Sequence, residues 1–295
     1  MTGAERGFLL LCCHLGNPQR RPLTVAQFRK LARRVRLADK DTADRDLEPA
    51  DLMAMGYGSQ EARQIIDLFA EEELLDRYLS KAAKLGCVPL TWLTPGYPQR
   101  LLEALGDDAP ACLWARGDLS LLEKESVSLV GSRDLYPENE AFARDVGREA
   151  ARQDLVLVSG NARGADRVGQ NGALAAGGQV ISIVADALSG HSPKANVLYL
   201  SEDGFDLEFS AQRAISRNRC IHAMSDAAIA AQCSLRTGGT WDGSVKNLRF
   251  VWSTLYVFED ESESAQLLEQ MGAVAIDFDD LKDLRNLPKP TQTMI

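Results

Sequence analysis

An apolar run passes into a small-residue turn with an arginine at Val127-Ser128-Leu129-Val130-Gly131-Ser132-Arg133. The same order recurs downstream, where Leu155-Val156-Leu157-Val158 precedes Ser159-Gly160-Asn161-Ala162-Arg163-Gly164-Ala165-Asp166. Further strand-like runs occur at 111–115, 180–185, 197–201, 227–231, 254–258 and 273–276, and helical patterns occur near 138–153, 165–176, 211–224, 241–252 and 262–271. Because short β-rich runs alternate with helices, the sequence predicts an α/β domain with a doubly wound, mostly parallel sheet.

The first 108 residues follow a different pattern. Apolar residues recur at helical spacing over 25–37, where Thr24 is placed to cap a helix, and a second helical pattern opens at Ser59. The polar residues at the far end have the composition of a frayed tail. The sequence therefore predicts a small helical domain over 1–108, an α/β domain over 109–285 and a tail over 286–295.

The composition excludes several classes of protein. The 295 residues are 45% hydrophobic and 25% charged, as in ordinary soluble globular proteins, and no apolar run approaches the ~20 residues of a membrane span. The net charge of −9 counts against a broad basic coat but not against a local basic pocket. The six cysteines form no C-x-x-C pair, so we expect reduced thiols, no metal site and a cytoplasmic protein.

The glycine turns have the composition of an anion site. The carboxyl ends of parallel strands meet at one edge of an open sheet, where ligands gather. Glycine lets the backbone approach a phosphate, helix N-termini supply N–H donors, and arginine supplies a planar fork. We expect Arg133 and Arg163 to lie at this edge, with Asp166 either capping the next helix or pairing with Arg163. A plain turn with a surface arginine is the alternative at Arg133. A purely structural role, as a helix cap and a salt bridge, is the alternative for the motif that contains Arg163 and Asp166.

Two further motifs belong to this hypothesis. Arg217-Asn218-Arg219 falls within the helix predicted over 211–224, and Thr237-Gly238-Gly239-Thr240 precedes a helix predicted to begin near Trp241. The second motif resembles an anion cradle at a helix N-terminus. A solvated helix face and a routine loop are the respective alternatives.

The sequence offers no catalytic constellation. The three histidines, His14, His191 and His222, stand in unrelated contexts, and no carboxylate spacing marks an acid/base pair. A G-x-x-x-x-G-K-[ST] loop is absent as well. We therefore expect a binding protein without catalytic residues, cofactor or metal.

The motifs, taken in order from about residue 90 to 260, resemble those of the DNA-processing protein DprA (Smf) family. The matching segments begin with Tyr97-Pro98 and Leu113-Trp114-Ala115-Arg116-Gly117, continue through both glycine turns and end at Arg217-Asn218-Arg219. The resemblance implies a Rossmann-like domain that binds single-stranded DNA, forms homodimers and helps a RecA-type recombinase to load during DNA uptake. Because the sequence holds no long apolar run, we expect no membrane association.

The resemblance also implies that Arg133, Arg163, Arg217, Arg219 and Lys194 line a phosphate-contacting pocket in which Asn218 forms hydrogen bonds. Together with the turn residues, the predicted binding set is Gly131, Ser132, Arg133, Ser159, Gly160, Arg163, Gly164, Asp166, Lys194, Arg217, Asn218, Arg219, Thr237, Gly238, Gly239 and Thr240.

The chain departs from the family pattern at the ligand edge. Gly169-Gln170 replace Ala-His, Gln232 replaces a strand-end glutamate, and no winged-helix domain fits after residue 285. These departures leave two alternatives open. One is a Rossmann-like nucleotide sensor or hydrolase related to DprA and the phosphoribohydrolases, which the Gly238-Gly239-Thr240 turn favours; the other is a scaffold that mediates protein contacts.

Overall fold

The computed structural model describes residues 1–38, 46–202 and 204–290. The chain divides into two compact units. The first unit comprises Met1–Tyr97, Pro110–Trp114 and Glu202–Leu207, and the second comprises Pro98–Ala109, Ala115–Ser201 and Glu208–Ile295. The predicted domain boundaries at 108/109 and 285/286 remain predictions, and residues 291–295 of the predicted tail lie outside the described residues.

The first unit is mainly helical. Its elements are α1 Gly3–Cys12, α2 Val25–Leu37, α3 Pro49–Ala54, α4 Ser59–Phe69, α5 Glu72–Lys84 and the strand β1 Val88–Thr91. Thr24 caps α2 as predicted, since its side chain accepts from the Gln27 N–H while the Gln27 side chain accepts from the Thr24 N–H. The helices enclose an apolar core that includes Phe8, Leu11, Cys12, Leu23, Leu31, Leu52, Ala62, Ile65 and Leu68.

The other elements alternate strands with helices. They are α6 Gln99–Leu105, β2 Cys112–Gly117, β3 Ser126–Val130, α7 Pro137–Arg152, β4 Val156–Ser159, α8 Ala165–Ala175, β5 Gln179–Val184, β6 Val197–Glu202, α9 Ala211–Ser216, α10 Asn218–Ala223, β7 Ala227–Ala230, α11 Gly238–Phe250, β8 Thr254–Phe258, α12 Glu263–Gln270 and β9 Val274–Ile276. The strand order is β1-β2-β6-β5-β4-β3-β7-β8-β9. The alternation and the order confirm the predicted α/β class.

The strands from β3 to β9 pair in parallel. Ser128 in β3 is in register with Val158 of β4 on one side and with Ala228 of β7 on the other. The chain therefore builds the sheet outward in one direction from β3 through β6 and in the opposite direction from β7 through β9. A reversal of this kind creates a crevice outside the carboxyl ends of the strands, and it falls here between β3 and β7.

Three helix predictions were wrong in detail. The helix predicted over 211–224 is interrupted at Arg217, whose carbonyl accepts from the Cys220 N–H over only three residues. The helix predicted to begin near Trp241 begins at Gly238, because a glycine with φ +84° starts a helical turn that apolar periodicity does not mark. The apolar residues near the start of the sequence predict a first helix from Phe8 to Leu15, but this helix runs from Gly3 to Cys12.

The cysteine side chains at 12, 13, 87, 112, 220 and 233 are all free and buried. Among the described residues, none of the helices combines the length and the apolar character that crossing a membrane requires.

Candidate functional site

The turns after β3, β4 and β7 join backbone to backbone at the carboxyl edge of the sheet. The Ser132 N–H donates to the carbonyl of Gln232 (2.9 Å), and the Ser132 carbonyl accepts from the Ala165 N–H (3.1 Å). A Cβ at Gly164 would overlap the Ser132 carbonyl, and one at Gly131 would overlap the Ala165 side chain. Glycine is therefore needed at both positions for the close approach of the turns.

Gln232 also fixes the remainder of the turn after β3. Its Oε1 accepts from the Tyr136 N–H (2.9 Å), and its Nε2 donates to the Asp134 carbonyl (3.1 Å). Arg133 lies in this turn with an exposed side chain that makes no hydrogen bond or ion pair within the described residues. Tyr136 is 69% exposed. The turn thus presents one cation and one aromatic ring on a backbone held by hydrogen bonds.

Arg163, in the turn after β4, pairs with Asp134 rather than with Asp166. The Nη2 to Oδ1 distance is 2.9 Å, and the two side chains are 68% and 82% exposed. The predicted option of an Arg163–Asp166 pair was therefore wrong. Exposed pairs contribute only about 0–1 kcal/mol, so an anionic ligand can replace the Asp134 carboxylate at little cost.

Asp166 pairs with Arg217 in the interior. The Arg217 Nη2 lies 3.7 Å from the Asp166 Oδ2, and both side chains are buried. The carboxylate also accepts from the Ala162 N–H (3.1 Å), while the guanidinium donates to the Ile183 carbonyl at the end of β5. Burial raises the pKa of Asp166, and the Arg217 charge opposes that rise. Arg217, which lies between α9 and α10, therefore links α8 through Asp166 to β5 through Ile183.

Ser159 is also internal. Its hydroxyl donates to the Leu129 carbonyl (2.9 Å), so it links β4 to β3 rather than facing the edge. Gly160 follows it and packs against the Arg217 guanidinium.

Asn218 and Arg219 bind backbone carbonyls. Asn218 Nδ2 donates to the Gly239 carbonyl (3.0 Å) and so links α10 to the first turn of α11. Arg219 donates from Nε to the Asp108 carbonyl (2.9 Å) and from Nη1 to the Ser216 carbonyl (2.6 Å). These contacts stabilise the packing of α10.

The segment Thr237–Thr240 forms the entry to α11. Thr237 and Gly238 are exposed, Gly239 and Thr240 are half-buried, and the Thr237 side chain makes no capping hydrogen bond. This entry follows β7 and thus lies at the same edge as the glycine turns. A helix N-terminus carries a partial positive charge that favours an anion.

Lys194 lies at the other end of the strands. It forms an isolated bridge with Val197, the first residue of β6, and the neighbouring Asn196 carbonyl accepts from the Val180 N–H near the start of β5. The segment between two adjacent parallel strands must return to the amino end of the sheet. The structure therefore does not bring Lys194 together with Arg133 and Arg163.

The histidines are not gathered at the edge. His191 Nε2 lies 2.8 Å from Asp186 Oδ1, and its ring stacks on Tyr199. His222 is buried, neither ring nitrogen has a hydrogen-bond partner within the described residues, and burial lowers its pKa to about 4. Across 1–38, 46–202 and 204–290, no group of three or more His, Cys, Asp or Glu side chains is arranged to hold a metal ion.

Sequence reasoning missed two residues at the edge, Asp134 and Tyr136. Both belong to the turn that begins with Gly131-Ser132-Arg133, so their place beside the first glycine turn was visible in the sequence. No comparable signal in the sequence shows that Gln232 hydrogen-bonds to that turn. The contact depends on the pairing of β3 with β7, two strands that are far apart in the sequence.

The fold and its edge define a Rossmann-like α/β protein with glycine turns at the topological switch point of the sheet. The family model for DNA recombination-mediator protein A matches residues 89–284, and the chain belongs to this family.

Curated relatives include DNA processing protein DprA of Streptococcus pneumoniae, which is 32% identical over 152 residues, or 48% of this chain and 53% of the relative. Protein Smf of Escherichia coli is 29% identical over 153 residues, or 48% of this chain and 40% of the relative. The chain thus spans about half the length, or less, of the curated relatives it matches.

Two solved structures share the fold. The X-ray structure of S. pneumoniae DprA covers 98% of this chain and 99% of its own, with a TM-score of 0.73 and 23% identity. A DNA processing protein A structure from Helicobacter pylori, described in terms of its single-stranded DNA binding mode, covers 67% of this chain and 93% of its own. Its TM-score is 0.56 and its identity is 24%.

Proposed function

We propose that this chain binds single-stranded DNA at the carboxyl edge of its parallel sheet and acts as a recombination mediator. The observation that carries the proposal is Arg133, a cation without a partner in the described residues, on a turn that hydrogen bonds hold in place. A guanidinium on a fixed backbone loses little freedom when it binds a phosphate. Membership of the DNA recombination-mediator protein A family supports the same ligand.

Two other features of the edge suit a phosphate backbone. The Arg163 guanidinium is held only by an exposed pair with Asp134. The first turn of α11, which begins at Gly238, adds the dipole of a thirteen-residue helix. With Arg133, these features give the strand three contacts, and the exposed ring of Tyr136 offers a surface on which a base can stack.

The partners follow from the family. We propose that the chain delivers the strand to a RecA-type recombinase and works as a homodimer, as the family resemblance implies. The reaction is one of binding and exchange, in which no covalent bond is made or broken.

The experiment is a fluorescence titration of labelled oligo-dT with the full chain at low and near-physiological salt, beside a duplex of equal length. Binding to the single strand should be tighter, and log affinity should fall with log salt by roughly 0.7 for each phosphate contact. Arg133→Ala should weaken binding and lower that slope. Binding that is absent at low salt, or that ignores both salt and Arg133→Ala, contradicts the proposal.

A mononucleotide is the second candidate ligand, and the exposed Gly238-Gly239 entry to α11 favours it. A glycine-rich helix start suits a single phosphate group as well as a strand. Mononucleotides added as competitors in the same titration separate the two. A ligand of this kind should displace oligo-dT at concentrations where inorganic phosphate does not.

A further inference from the structure

The helix α2 is the most basic element of an acidic protein. Residues 25–37 contain Arg29, Lys30, Arg33, Arg34 and Arg36 and no acidic residue, whereas the whole chain carries a net charge of −9. Arg33 and Arg36 are exposed and make no hydrogen bond or ion pair within the described residues. A local excess of this size sets a local positive potential whatever the total charge.

The opposite face of α2 is anchored in the core of the first unit. Leu31 is buried in the apolar cluster, and Phe28 and Val35 pack against it. The capping box at Thr24 fixes the start of the helix. The basic face is therefore carried on a rigid support rather than on a free end.

Aromatic rings hold several of the cations. The Arg29 guanidinium lies over the Trp92 ring at 4.6 Å, and the Arg34 guanidinium lies over the Tyr57 ring at 4.5 Å. Lys30 lies 5.9 Å from the centre of the same Tyr57 ring. Cation–π contacts of this kind limit the freedom of long side chains, so binding an anion costs less entropy than it would at a free surface.

We propose that this face of α2 is a second nucleic-acid surface, which takes the phosphate backbone of a single strand. Four of the five cations are arginines, whose planar fork matches a phosphate better than the point charge of lysine does. Arg29 to Arg36 spans about 10 Å of helix, enough to follow a few successive phosphates. This surface rests on the proposed binding of single-stranded DNA, and it adds DNA contacts in the unit that lacks the glycine turns.

An acidic residue borders the basic face of α2 on the side of Arg34. Asp51 of α3 lines the groove of ~380 Å³ that Arg34, Leu37 and Met55 also line. A phosphate strand would be repelled on that side. Arg33 and Arg36 lie outside that lining and are the cations best placed to test the inference.

The test is the double charge reversal Arg33→Glu/Arg36→Glu in the full chain, with a long oligo-dT as the probe. The control is Arg77→Glu/Lys84→Glu, which reverses two exposed charges on α5 of the same unit. The α2 variant should bind at least about tenfold more weakly at low salt, with a salt slope smaller by roughly 1.4. The α5 control should bind like the parent.

The neutral variant Arg33→Gln/Arg36→Gln separates a loss of DNA contacts from a folding defect. It should lose part of the affinity while keeping the parent melting temperature. Equal affinities for the parent, the α2 variants and the α5 control overturn the inference. Arg133→Ala serves as a separate arm. If Arg133→Ala binds normally while the α2 reversal binds weakly, the edge site is contradicted and the α2 surface is supported. If Arg133→Ala binds weakly while the α2 reversal binds like the parent, the α2 surface is contradicted and only the edge site is supported.

Discussion

The Arg217 guanidinium occupies the space that a side chain at Gly160 would need. A Cβ at that position would overlap Cζ and both terminal nitrogens of the arginine. The guanidinium is fixed there by the Asp166 carboxylate and the Ile183 carbonyl. The absence of a side chain at Gly160 therefore makes room for the buried Arg217 guanidinium. The sequence alone suggested instead that this glycine lets a ligand approach the backbone.

Gly160→Ala should destabilise the protein by about 1–3 kcal/mol, because the added methyl group must displace a buried, hydrogen-bonded guanidinium. Thermal melting followed by circular dichroism measures the effect. Gly190→Ala is the control, since nothing lies within 4 Å of its Cβ position. Equal melting temperatures for the two variants would show that the guanidinium moves aside freely.

Arg217→Ala should cost about 3–5 kcal/mol of stability, because it leaves Asp166 buried without its counter-charge. Arg133→Ala should stay within about 0.5 kcal/mol of the parent, since its side chain is exposed. Urea unfolding of both variants gives the comparison. An Arg217→Ala protein that keeps its stability but loses DNA affinity would instead make Arg217 a ligand contact.

Much of this fold could be predicted because its signals are local. The apolar runs that became β3 and β4 and the glycines after them are contiguous in the sequence, so the parallel sheet and the position of the glycine turns at its carboxyl edge followed from pattern alone. The depth of Arg217 could not be predicted in this way. It depends on Asp166 and Ile183, which reach the same point only after three strands have paired.

The position of Lys194 shows a related limit. The segment between β5 and β6 must cross from the carboxyl edge to the amino edge, and a polar sequence does not show how far along the crossing a given residue stands. The bridge to Val197 places Lys194 at the far end. The placement of residues on turns directly after strands was predictable, whereas the placement of residues on the return segment was not.

Asp134→Asn should raise the affinity for single-stranded DNA by roughly two- to fivefold, because it removes the carboxylate that competes for Arg163 in an exposed pair. The matched control is Asp279→Asn, since Asp279 is equally exposed at 82% and pairs with Lys282. Titration of labelled oligo-dT measures both. A lower affinity for Asp134→Asn than for the control would mean that the carboxylate positions Arg163 rather than competing with the ligand.

Tyr136→Ala should weaken single-strand binding by about 1–3 kcal/mol, the usual contribution of one stacked base, without changing the melting temperature. The ring is 69% exposed, and its backbone N–H is held by Gln232, so it is presented without being part of the core. Tyr136→Phe keeps the ring and should bind like the parent. If both variants bind equally well, the ring has no contact with a base.

His222 should make the protein less stable in mild acid. Its ring is buried in α10 against Gly243, and neither nitrogen has a partner within the described residues to stabilise a positive charge. Burial lowers its pKa from 6.5 to about 4. Between those values the unfolded chain binds the proton and the folded protein does not, so stability is full above pH 6.5 and falls as the pH decreases towards 4. The shift corresponds to about 3 kcal/mol.

The substitution His222→Leu isolates this contribution, because leucine fills a similar apolar space and takes up no proton. Melting temperatures measured at several values between pH 4 and 6.5 should fall less steeply for the variant than for the parent, while above pH 6.5 the two curves should run parallel. The carboxylates titrate in both proteins and cancel in the difference. Parallel curves across the whole range would mean that the folded protein accepts the proton on His222, either through an internal water or through a shift of α10 that exposes the ring.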